Sequence, residues 1–489
     1  MASNKPIFPG EFEVELGELH LSNGEIISFA DSNTGLLTFT FTEDIEESAI
    51  EGELIFIDSV NAANRGPIVG GEIIDLKIRT SSEFRTDDAI MDFSKNNLIV
   101  TGLGNYSAST HETVGATSVT FSSQEIIENY RTRVSQSFEG TYSDIVEEIM
   151  EKIIKSGKNL YIEPSVGKKK IIAPNVLPFD VIALAMEEAT NDQLEPTYYF
   201  YETTMGYHFR TLMDMYGNEN SVTKSIFAYH DATVGLKTPS AGTQSWLQAI
   251  TTILDFDVLP RTDLLTNLDY GTYSSKLIEH DIYNKTYYEY EYDYFAKENL
   301  QIRMSTQEGE GEPIYSQKPI VNGKTLSEDK METFLVPTSL KKLDAQSDAQ
   351  HSTTFGTGSG NFPQYGFIGK NGKDWVQRRN SMKSQISDSE GATTLSLKVH
   401  GNTLINAGDV INLDITERHL TGAAPNPDPV MSGPFLVKSV RHEFNVGERT
   451  SHMMEITVIR DGFPFKVPAA GKQASKGSFR KIESYYEAF

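Results

Sequence analysis

Apolar and polar residues alternate through much of the first 125 residues of the chain. Ile74, Leu76 and Ile78 fall on one face of a segment in which Asp75 and Lys77 fall on the other. An alternation with period two is typical of a half-buried β-strand. Asn-Gly and Gly-Pro turn signals separate several such segments. The pattern predicts a small antiparallel barrel or sandwich over residues 10–125.

The period changes to that of a helix after residue 140. Ile145, Ile149 and Ile153 recur every fourth residue, which places them on one face of a helix. Thr141 precedes this pattern and is predicted to cap its N-terminus, and Gly157 is predicted to cap its C-terminus.

The next segments add a second helix and a hairpin. A helix is predicted to begin near Pro178, with Asp180 in its first turn, and a short strand is predicted at 160–163. Residues 198–210 predict a hairpin that turns around Met205 and Gly206. Residues 126–225 are therefore expected to form an α/β domain inserted between β-rich regions.

The second half of the chain returns to strand patterns. Trp246, Ile250 and Ile253 have helical spacing, and alternating tyrosines from Tyr288 to Tyr294 predict a strand whose aromatic face packs in a core or an interface. Four further strand patterns are centred on 395–399, 410–415, 435–440 and 454–459. Residues 301–390 are polar and turn-rich, with a helix possible at 375–386, and residues 464–489 are typical of a C-terminal tail.

Composition narrows the classes of function. The 489 residues include no cysteine and carry a formal net charge of −25. The lack of cysteine excludes disulfides, thiolate metal sites and a cysteine nucleophile. Because a surface this acidic repels phosphate groups, recognition of nucleic acid by charge neutralisation is disfavoured. No secretory signal or membrane-spanning pattern is visible, so we expect a soluble protein made in a cytoplasm.

Sequence motifs typical of catalytic or ligand-binding sites lack the required residues or spacing in this chain. Gly323-Lys-Thr325 ends like a phosphate loop, but Lys318 stands where that loop needs glycine. His111 and His442 are each followed by glutamate but lack the second histidine of a zinc-protease helix. Acidic residues at 147, 148 and 151 are expected on a solvated helix face. We therefore predict no catalytic, cofactor-binding or metal-binding residues, and no cofactor.

Several segments, in this order along the chain, resemble the central baseplate hub protein of contractile-tailed bacteriophages. Each motif is weak alone, but together they extend over nearly the whole chain, apart from residues 300–375. The segments are 119–125, 131–140, 142–154, 200–211, 269–281, 399–402, 408–410, 433–442 and 454–461, together with Trp375, Arg378 and Arg379.

This resemblance implies an α+β, β-rich fold with two related small β-barrel tube domains. An α/β domain would be inserted after the first, and three subunits would form a pseudo-sixfold ring. The ring would be a structural adaptor, without enzymatic activity, that joins the sixfold tail tube to the threefold central spike and leaves a channel for DNA ejection. The implied domains are 10–125 and 226–300 plus 391–463 for the tube barrels, 126–225 for the insertion, 301–390 for a polar linker and 464–489 for the tail.

The same resemblance implies partners and a location. The partners would be two further copies of the chain, the central spike, the tail tube or its initiator, the baseplate wedge proteins and the tape measure protein. DNA would only pass through, without sequence-specific binding, and no membrane insertion is implied. The protein would lie in the tail baseplate of a virion and be assembled in the host cytoplasm.

Two alternatives remain open. A tail-tip enzyme that degrades peptidoglycan would need a carboxylate pair or a metal site in a cleft, most plausibly in the inserted α/β domain. The hub of a related contractile injection system, with hub and spike fused, is disfavoured because no β-helical repeat follows residue 463.

Overall fold

The structure is a computed structural model of the 489-residue chain. It describes residues 10–29, 34–58, 68–80, 90–94, 98–108, 115–167, 169–192, 195–217, 226–229, 251–259, 264–269, 271–281, 286–294, 312–313, 320–328, 332–337, 393–416, 428, 430–447, 450–460 and 462–463. The predicted helices around Trp246 and at 375–386 and the predicted C-terminal tail lie outside these residues, as does His111.

One large sheet dominates the described chain. Its strands come from both ends of the sequence and are, with one exception, antiparallel to their neighbours. Strands from the first part are β1 Phe12–His20, β2 Ile26–Ser28, β3 Thr34–Asp44, β4 Glu51–Asp58, β5 Ile73–Thr80, β6 Ile90–Asp92, β7 Leu98–Ala108 and β8 Gly115–Ser123.

The region between the two β-rich parts contains helices and short strands, as the sequence predicts. Its elements are α1 Gln124–Arg131, β9 Ser137–Gly140, α2 Tyr142–Glu148, β10 Leu160–Ile162, β11 Lys169–Ile172, α3 Pro178–Glu188, β12 Tyr198–Thr203, β13 Gly206–Thr211 and α4 Leu212–Gly217. Helix α2 continues as π-helix from Ile149 to Ile154.

The helices, the short strand and the hairpin predicted for this region are present in the structure, and one predicted cap is wrong. Thr141 caps α2 in a capping box with Asp144, and Asp180 accepts the Leu177 N–H at the start of α3. The predicted cap at Gly157 is wrong. The residue after the π-helix is Lys155, which has the left-handed φ of 59° and closes it there.

The second β-rich part and its surroundings complete the described elements. They are β14 Ile226–Tyr229, β15 Ile253–Val258, α5 Leu264–Asp269, β16 Ser274–Asp281, β17 Thr286–Asp293, β18 Glu312–Pro313, β19 Ile320–Val321, β20 Lys324–Thr325, β21 Glu332–Pro337, β22 Thr393–His400, β23 Val410–Ile415, β24 Gly433–Val446, β25 Thr450–Arg460 and β26 Gly462–Phe463. Ile253, expected on a helix, instead begins strand β15.

The tyrosine-rich strand lies outside the large sheet. Strands β16 and β17 form a small sheet with β21, which comes from the region expected to be a polar linker. Tyr292 and Tyr294 are buried in its core with Tyr273 and Leu326, so their predicted packing role is confirmed. The Gly323-Lys-Thr325 motif lies in and beside the turn between β19 and β20, as expected for a polar turn.

The large sheet contains the same five-strand pattern twice. In the first unit the sheet order is β3-β4-β8-β7-β5, and in the second unit it is β15-β22-β25-β24-β23. In both units, with β6 left aside, the sheet order runs through the first, second, fifth, fourth and third strand along the chain. Every neighbouring pair in both units is antiparallel. We call these the first and second five-strand units.

The two units also share their register and their irregularities. Val100 pairs with Phe121 in the first unit, and Val437 pairs with Val458 in the second, and in each case the register shifts immediately after the valine. A second shift occurs between Leu36 and Thr38 of β3 and between Ile253 and Asp255 of β15. β-bulges at equivalent positions indicate equivalent strand twist and bending.

Backbone hydrogen bonds beside the bulged valines repeat as well. Gly71 N–H donates to Val100 O and Val100 N–H donates to Glu72 O, both at 2.8 Å. Gly408 N–H donates to Val437 O at 2.9 Å, and Val437 N–H donates to the Asp409 carbonyl oxygen at 2.8 Å.

The carboxylates next to these bonds are also equivalent. The Glu72 carboxylate accepts the Val69 N–H at 2.9 Å, and the Asp409 carboxylate accepts the Asn406 N–H at 3.0 Å. In each unit the acceptor lies three residues after the donor, immediately before a strand. The outer strand differs, since β1 is antiparallel to β5 whereas β14 is parallel to β23.

Candidate assembly interface

The two five-strand units meet edge to edge within one chain. Residues 439–445 of β24 pair with residues 38–44 of β3 in an antiparallel register that places His442 opposite Phe41 and Phe444 opposite Phe39. We call this pairing the junction. It makes the two units parts of one continuous sheet.

Aromatic rings fill the core side of the junction. The rings of Phe41 and His442 are stacked with centroids 4.5 Å apart, and those of Phe444 and His452 are stacked at 3.9 Å. His442 Nδ1 lies 3.1 Å from His452 Nε2. Burial lowers the pKa of His442 to about 3, and burial with the neighbouring His442 lowers the pKa of His452. The junction core is therefore uncharged at neutral pH.

Polar contacts fix the register of the junction at both ends. Thr38 Oγ1 donates to Asn445 Oδ1 at 3.0 Å, and Ile45 N–H donates to the Lys438 carbonyl oxygen at 3.1 Å. Lys438 Nζ also lies 2.7 Å from Glu46 Oε2. Register is strongly specified where one face of a strand pair is buried.

Glu43 joins the junction to the inserted α/β region. Its fully buried carboxylate accepts the Thr204 N–H at 2.7 Å, at the tip of the β12–β13 hairpin, and the Ala407 N–H at 3.1 Å, just before β23. Thr204 Oγ1 also donates to Asn406 Oδ1 at 2.9 Å. Burial raises the Glu43 pKa to about 8 despite these hydrogen bonds. One side chain thus touches both units and the insertion.

A buried ion triad attaches the insertion to the first unit. Lys158 Nζ lies 2.6 Å from both Glu125 Oε2 and Glu202 Oε1, and all three side chains are almost fully buried. Glu202 Oε2 also accepts the Ile50 N–H at 2.9 Å, immediately before β4. Burial lowers the Lys158 pKa, but the two carboxylates outweigh it, and the net shift is upward.

An open cleft lies on the inserted region. Its volume is about 530 Å³, and its lining includes Asp144, Glu147, Glu151 and Lys158. Glu147 and Glu151 are exposed on α2 and its π-helical continuation, as the sequence predicts. Among the residues that the structure describes, no three histidine or acidic side chains are grouped as a metal site would require. No helix in that part of the chain is long and apolar enough to span a membrane.

Sequence patterns alone missed the residues that carry these contacts. Glu43 and Glu202 lie in strands, where an acidic residue ordinarily indicates the solvent side, and Lys158 lies in a loop. The sequence pattern correctly predicted that His442 lies in a strand, but no pattern indicated that His452 would lie next to it. The spacing of the carboxylates and of the two histidines is a product of the tertiary structure.

Comparisons with known proteins were made for sequence and for structure. No protein-family model matches the chain, and no curated protein matches it in sequence. A tail protein from Neisseria meningitidis MC58 aligns over 92% of this chain and 97% of its own, with 10% identity and a TM-score of 0.45. The 43 kDa tail protein of prophage MuSo2 from Shewanella oneidensis aligns over 91% and 98%, with 12% identity and a TM-score of 0.43.

The aligned structures include phage tail proteins and a secretion-system protein. A further solved structure is an Escherichia coli component of the type VI secretion system, described as similar to T4 bacteriophage tail proteins. It aligns over 94% of this chain and 79% of its own, with 10% identity and a TM-score of 0.38. Because the TM-scores are below 0.5, no function transfers through the alignments themselves.

Proposed function

We propose that this protein is a structural hub of a phage-tail-type baseplate. Three copies would form a ring that joins a sixfold tail tube to a threefold central spike and leaves a channel for DNA. Each copy would supply two related tube domains, so that six similar surfaces face the tube while the ring keeps the threefold symmetry of the spike.

The observation that carries this proposal is the repeated five-strand unit. Strand order, register, two β-bulges and the backbone bonds at Val100 and Val437 recur, and the two units are joined edge to edge in one sheet. An adaptor between sixfold and threefold partners needs two like surfaces per subunit. A chain with a single unit, or with two unlike units, would not provide them.

The strand pairing supports a refined division of the chain. The first tube domain would extend over residues 10–125 and the inserted domain over 126–225. The second tube domain would contain 226–259 and 393–460, since its strands in the large sheet come from these segments. Residues 264–337 supply the separate small sheet and would belong to a second insertion.

The partners of such a hub would be the central spike, the tail tube or its initiator, the wedge proteins and the tape measure protein. The formal charge of −25 per copy fits a role in which DNA passes without binding, because an acidic lumen repels phosphate. The protein would be a virion component assembled in the host cytoplasm. Neither an enzymatic step nor a cofactor is part of this function.

The experiment that tests the proposal measures mass and symmetry together. We expect light scattering to give three copies of the chain, both for the chain alone and within its complex with the spike partner. Electron microscopy of these species should show a ring with six similar lobes around a channel. A persistent dimer or tetramer with the spike present, or a closed disc without a channel, would contradict the hub function.

A further inference from the structure

A short strand of the inserted region borders the acidic cleft and has no strand on its outer side in the described chain. This strand, β10, pairs only with β13 among the described strands. We propose that residues 476–480 of the same chain add to the outer edge of β10 as a fourth strand, with their cations in the cleft. This inference concerns the inserted region and is independent of the hub proposal.

The backbone of β10 presents hydrogen-bonding groups on that outer side. The Glu163 N–H donates to Phe209 O of β13 at 2.9 Å, and the Asn159 carbonyl oxygen accepts an N–H of β13 at the same distance. Because alternate residues of a parallel strand bond to the same neighbour, odd-numbered residues here face β13. The N–H and carbonyl groups of Leu160 and Ile162 therefore point away from β13, where an added strand would bond to them.

The same two residues line the cleft, together with an acidic surface. Leu160 and Ile162 are lining residues, and so is Lys158, whose charge is already matched by the two carboxylates of the ion triad. The acidic lining residues are exposed, belong to α2 and its π-helical continuation, and are Asp144, Glu147 and Glu151. An occupant of the cleft would therefore meet a backbone edge beside a negative surface.

Charge complementarity identifies the occupant. The whole chain carries a formal charge of −25, yet residues 464–482 contain five cations and no acidic residue. Lys476 and Arg480 are four residues apart, so in an extended strand they lie on one face, about 13 Å from each other. The acidic surface extends over residues 144–151, which is about 10 Å of helix. The two spacings agree within the reach of the side chains.

The other face of the added strand would also find a partner. Leu160 and Ile162 pack against the core that α2 covers, so Tyr161 lies on the opposite face of β10, where it is 39% exposed. Phe479 alternates with Arg480 and would occupy this second face beside Tyr161. Aromatic pairs on neighbouring strands stabilise their pairing.

The segment is long enough to reach the cleft within one chain. Ile459, near the end of β25, belongs to the same apolar cluster as Tyr199 and Tyr201 of β12. Only β13 separates β12 from β10, so the outer edge of β10 is about 10 Å beyond β12. Residues 463–476 span up to about 40 Å when extended. This length is sufficient to pass around the three-stranded sheet.

The absence of cysteine makes a direct test available. Tyr161→Cys with Phe479→Cys would place two thiols at opposed residues of neighbouring strands, about 5 Å apart, where a disulfide fits. Under mild oxidation we expect a crosslink within one chain, which shifts the monomer band on a non-reducing gel and disappears after reduction.

The matched control pairs the same position of the segment with another exposed tyrosine. In Tyr130→Cys with Phe479→Cys, the first cysteine replaces a residue of α1 that is 67% exposed and does not line the cleft. This variant should crosslink at least tenfold less, because no strand pairing holds its two thiols within bonding distance. Equal crosslinking of the two variants would overturn the inference.

A second pair of variants tests the role of charge. Lys476→Gln with Arg480→Gln, added to the Tyr161 and Phe479 cysteines, removes the two cations that would face the cleft and should reduce crosslinking about threefold. The control, Lys466→Gln with Lys481→Gln, changes the net charge equally but leaves those cations in place. If both substitutions reduce crosslinking to the same extent, the acidic cleft does not hold the segment.

Trypsin gives a measurement on the unaltered chain. The peptide bonds after Lys476 and Arg480 should be cut more slowly in the protein than in a free peptide of residues 464–489, whereas the bond after Lys466 should be cut at a similar rate in both. High salt should remove the difference, because it screens the charges. Equal rates after all three residues at low salt would show that the segment is not bound.

The outcomes separate this inference from the hub proposal. A crosslink found only in dimers would overturn docking within one chain and assign the segment to a neighbouring copy. A specific crosslink within one chain supports the inference whatever the mass measured by light scattering, and that mass tests the hub by itself.

Discussion

The first and second five-strand units share a backbone pattern but differ in the residues that fill and anchor it. The core of the first unit is rich in phenylalanine, while the core of the second is almost entirely aliphatic. The first unit is attached to the insertion by the ion triad at Lys158. The second unit meets the insertion through the hydrogen bond from Thr204 Oγ1 to Asn406 Oδ1 and through an apolar cluster.

One equivalent pair of positions shows how the same space is filled in two ways. Gly52 pairs with Phe121 in the first unit, and Leu395 pairs with Val458 in the second. A Cβ at residue 52 would overlap the Phe121 ring and the backbone oxygen of Thr40, so glycine is required there. The first unit fills this space with one small and one large residue, and the second unit fills it with two residues of intermediate size. The packed volume is therefore similar in the two units.

This difference teaches that the strand register does not depend on particular core residues. Total volume and the alternation of inward and outward positions suffice to keep it. The side chains determine how much each position contributes to the free energy of unfolding and how the stability of each unit depends on pH. The following predictions test these differences in order of decreasing effect.

Loss of the Lys158 charge should have the largest effect. In Lys158→Met the Glu125 and Glu202 carboxylates would remain buried without a cation, which costs about 3–5 kcal/mol of unfolding free energy. Urea unfolding followed by circular dichroism measures this loss.

The matched control for that variant is Lys152→Met. Lys152 forms an exposed i, i+4 pair with Glu148, and its removal should change the unfolding free energy by less than about 0.5 kcal/mol. Equal effects of the two substitutions would show that the triad does not anchor the first unit.

Equivalent core truncations should differ between the units. Phe121→Ala should lower the free energy of unfolding by about 3–5 kcal/mol, and Val458→Ala at the equivalent position by about 2 kcal/mol. The first loss is larger because truncating phenylalanine removes more buried apolar volume than truncating valine. Both residues are buried, so exposure does not confound the comparison. Denaturant midpoints of the two variants give the measurement, and a larger loss for Val458→Ala would contradict the volume argument.

Glu43 should make the junction sensitive to alkaline pH. Its pKa is raised from 4.5 to about 8, so the folded state holds the proton more tightly than the unfolded chain does. The resulting stabilisation is complete below pH 4.5 and is lost as the pH rises to about 8, by at most about 5 kcal/mol.

The variant Glu43→Gln isolates that dependence. The difference in unfolding free energy between the native chain and the variant should shrink or reverse as the pH rises from about 5 to 8.5, since other titrating groups, including Asp44, are present in both. A difference that stays constant over this range would show that Glu43 is ionised in the folded protein throughout.

The smallest effect is expected at the cleft of the insertion. Glu147→Gln with Glu151→Gln should change the unfolding free energy by less than about 0.5 kcal/mol, because both side chains are exposed. Turbidity of a purified cell-wall suspension should stay unchanged with the native chain and with the variant. Clearing by the native chain that the variant abolishes would favour the tail-tip enzyme over the hub.

The sequence by itself determined the local elements of this protein. Ile145 and Ile149 on a period of four, the Thr141 cap and the alternation of Ile74, Leu76 and Ile78 led to elements that the structure contains. These features depend on residues close together in the chain, where spacing and side-chain chemistry are sufficient. Gly157 was the wrong cap because Lys155 adopts a left-handed conformation that sequence does not favour.

Only the tertiary structure decided how the two β-rich regions are related and joined. The pairing of β24 with β3 brings together residues about 400 positions apart, and no local pattern specifies such a contact. Glu43, Glu202 and Lys158 are buried because three separate segments supply their partners, and the separate sheet of β16, β17 and β21 depends on a strand from a polar segment. Long-range pairing depends on which strand edges lie side by side in the folded sheet, and that is a property of the tertiary structure.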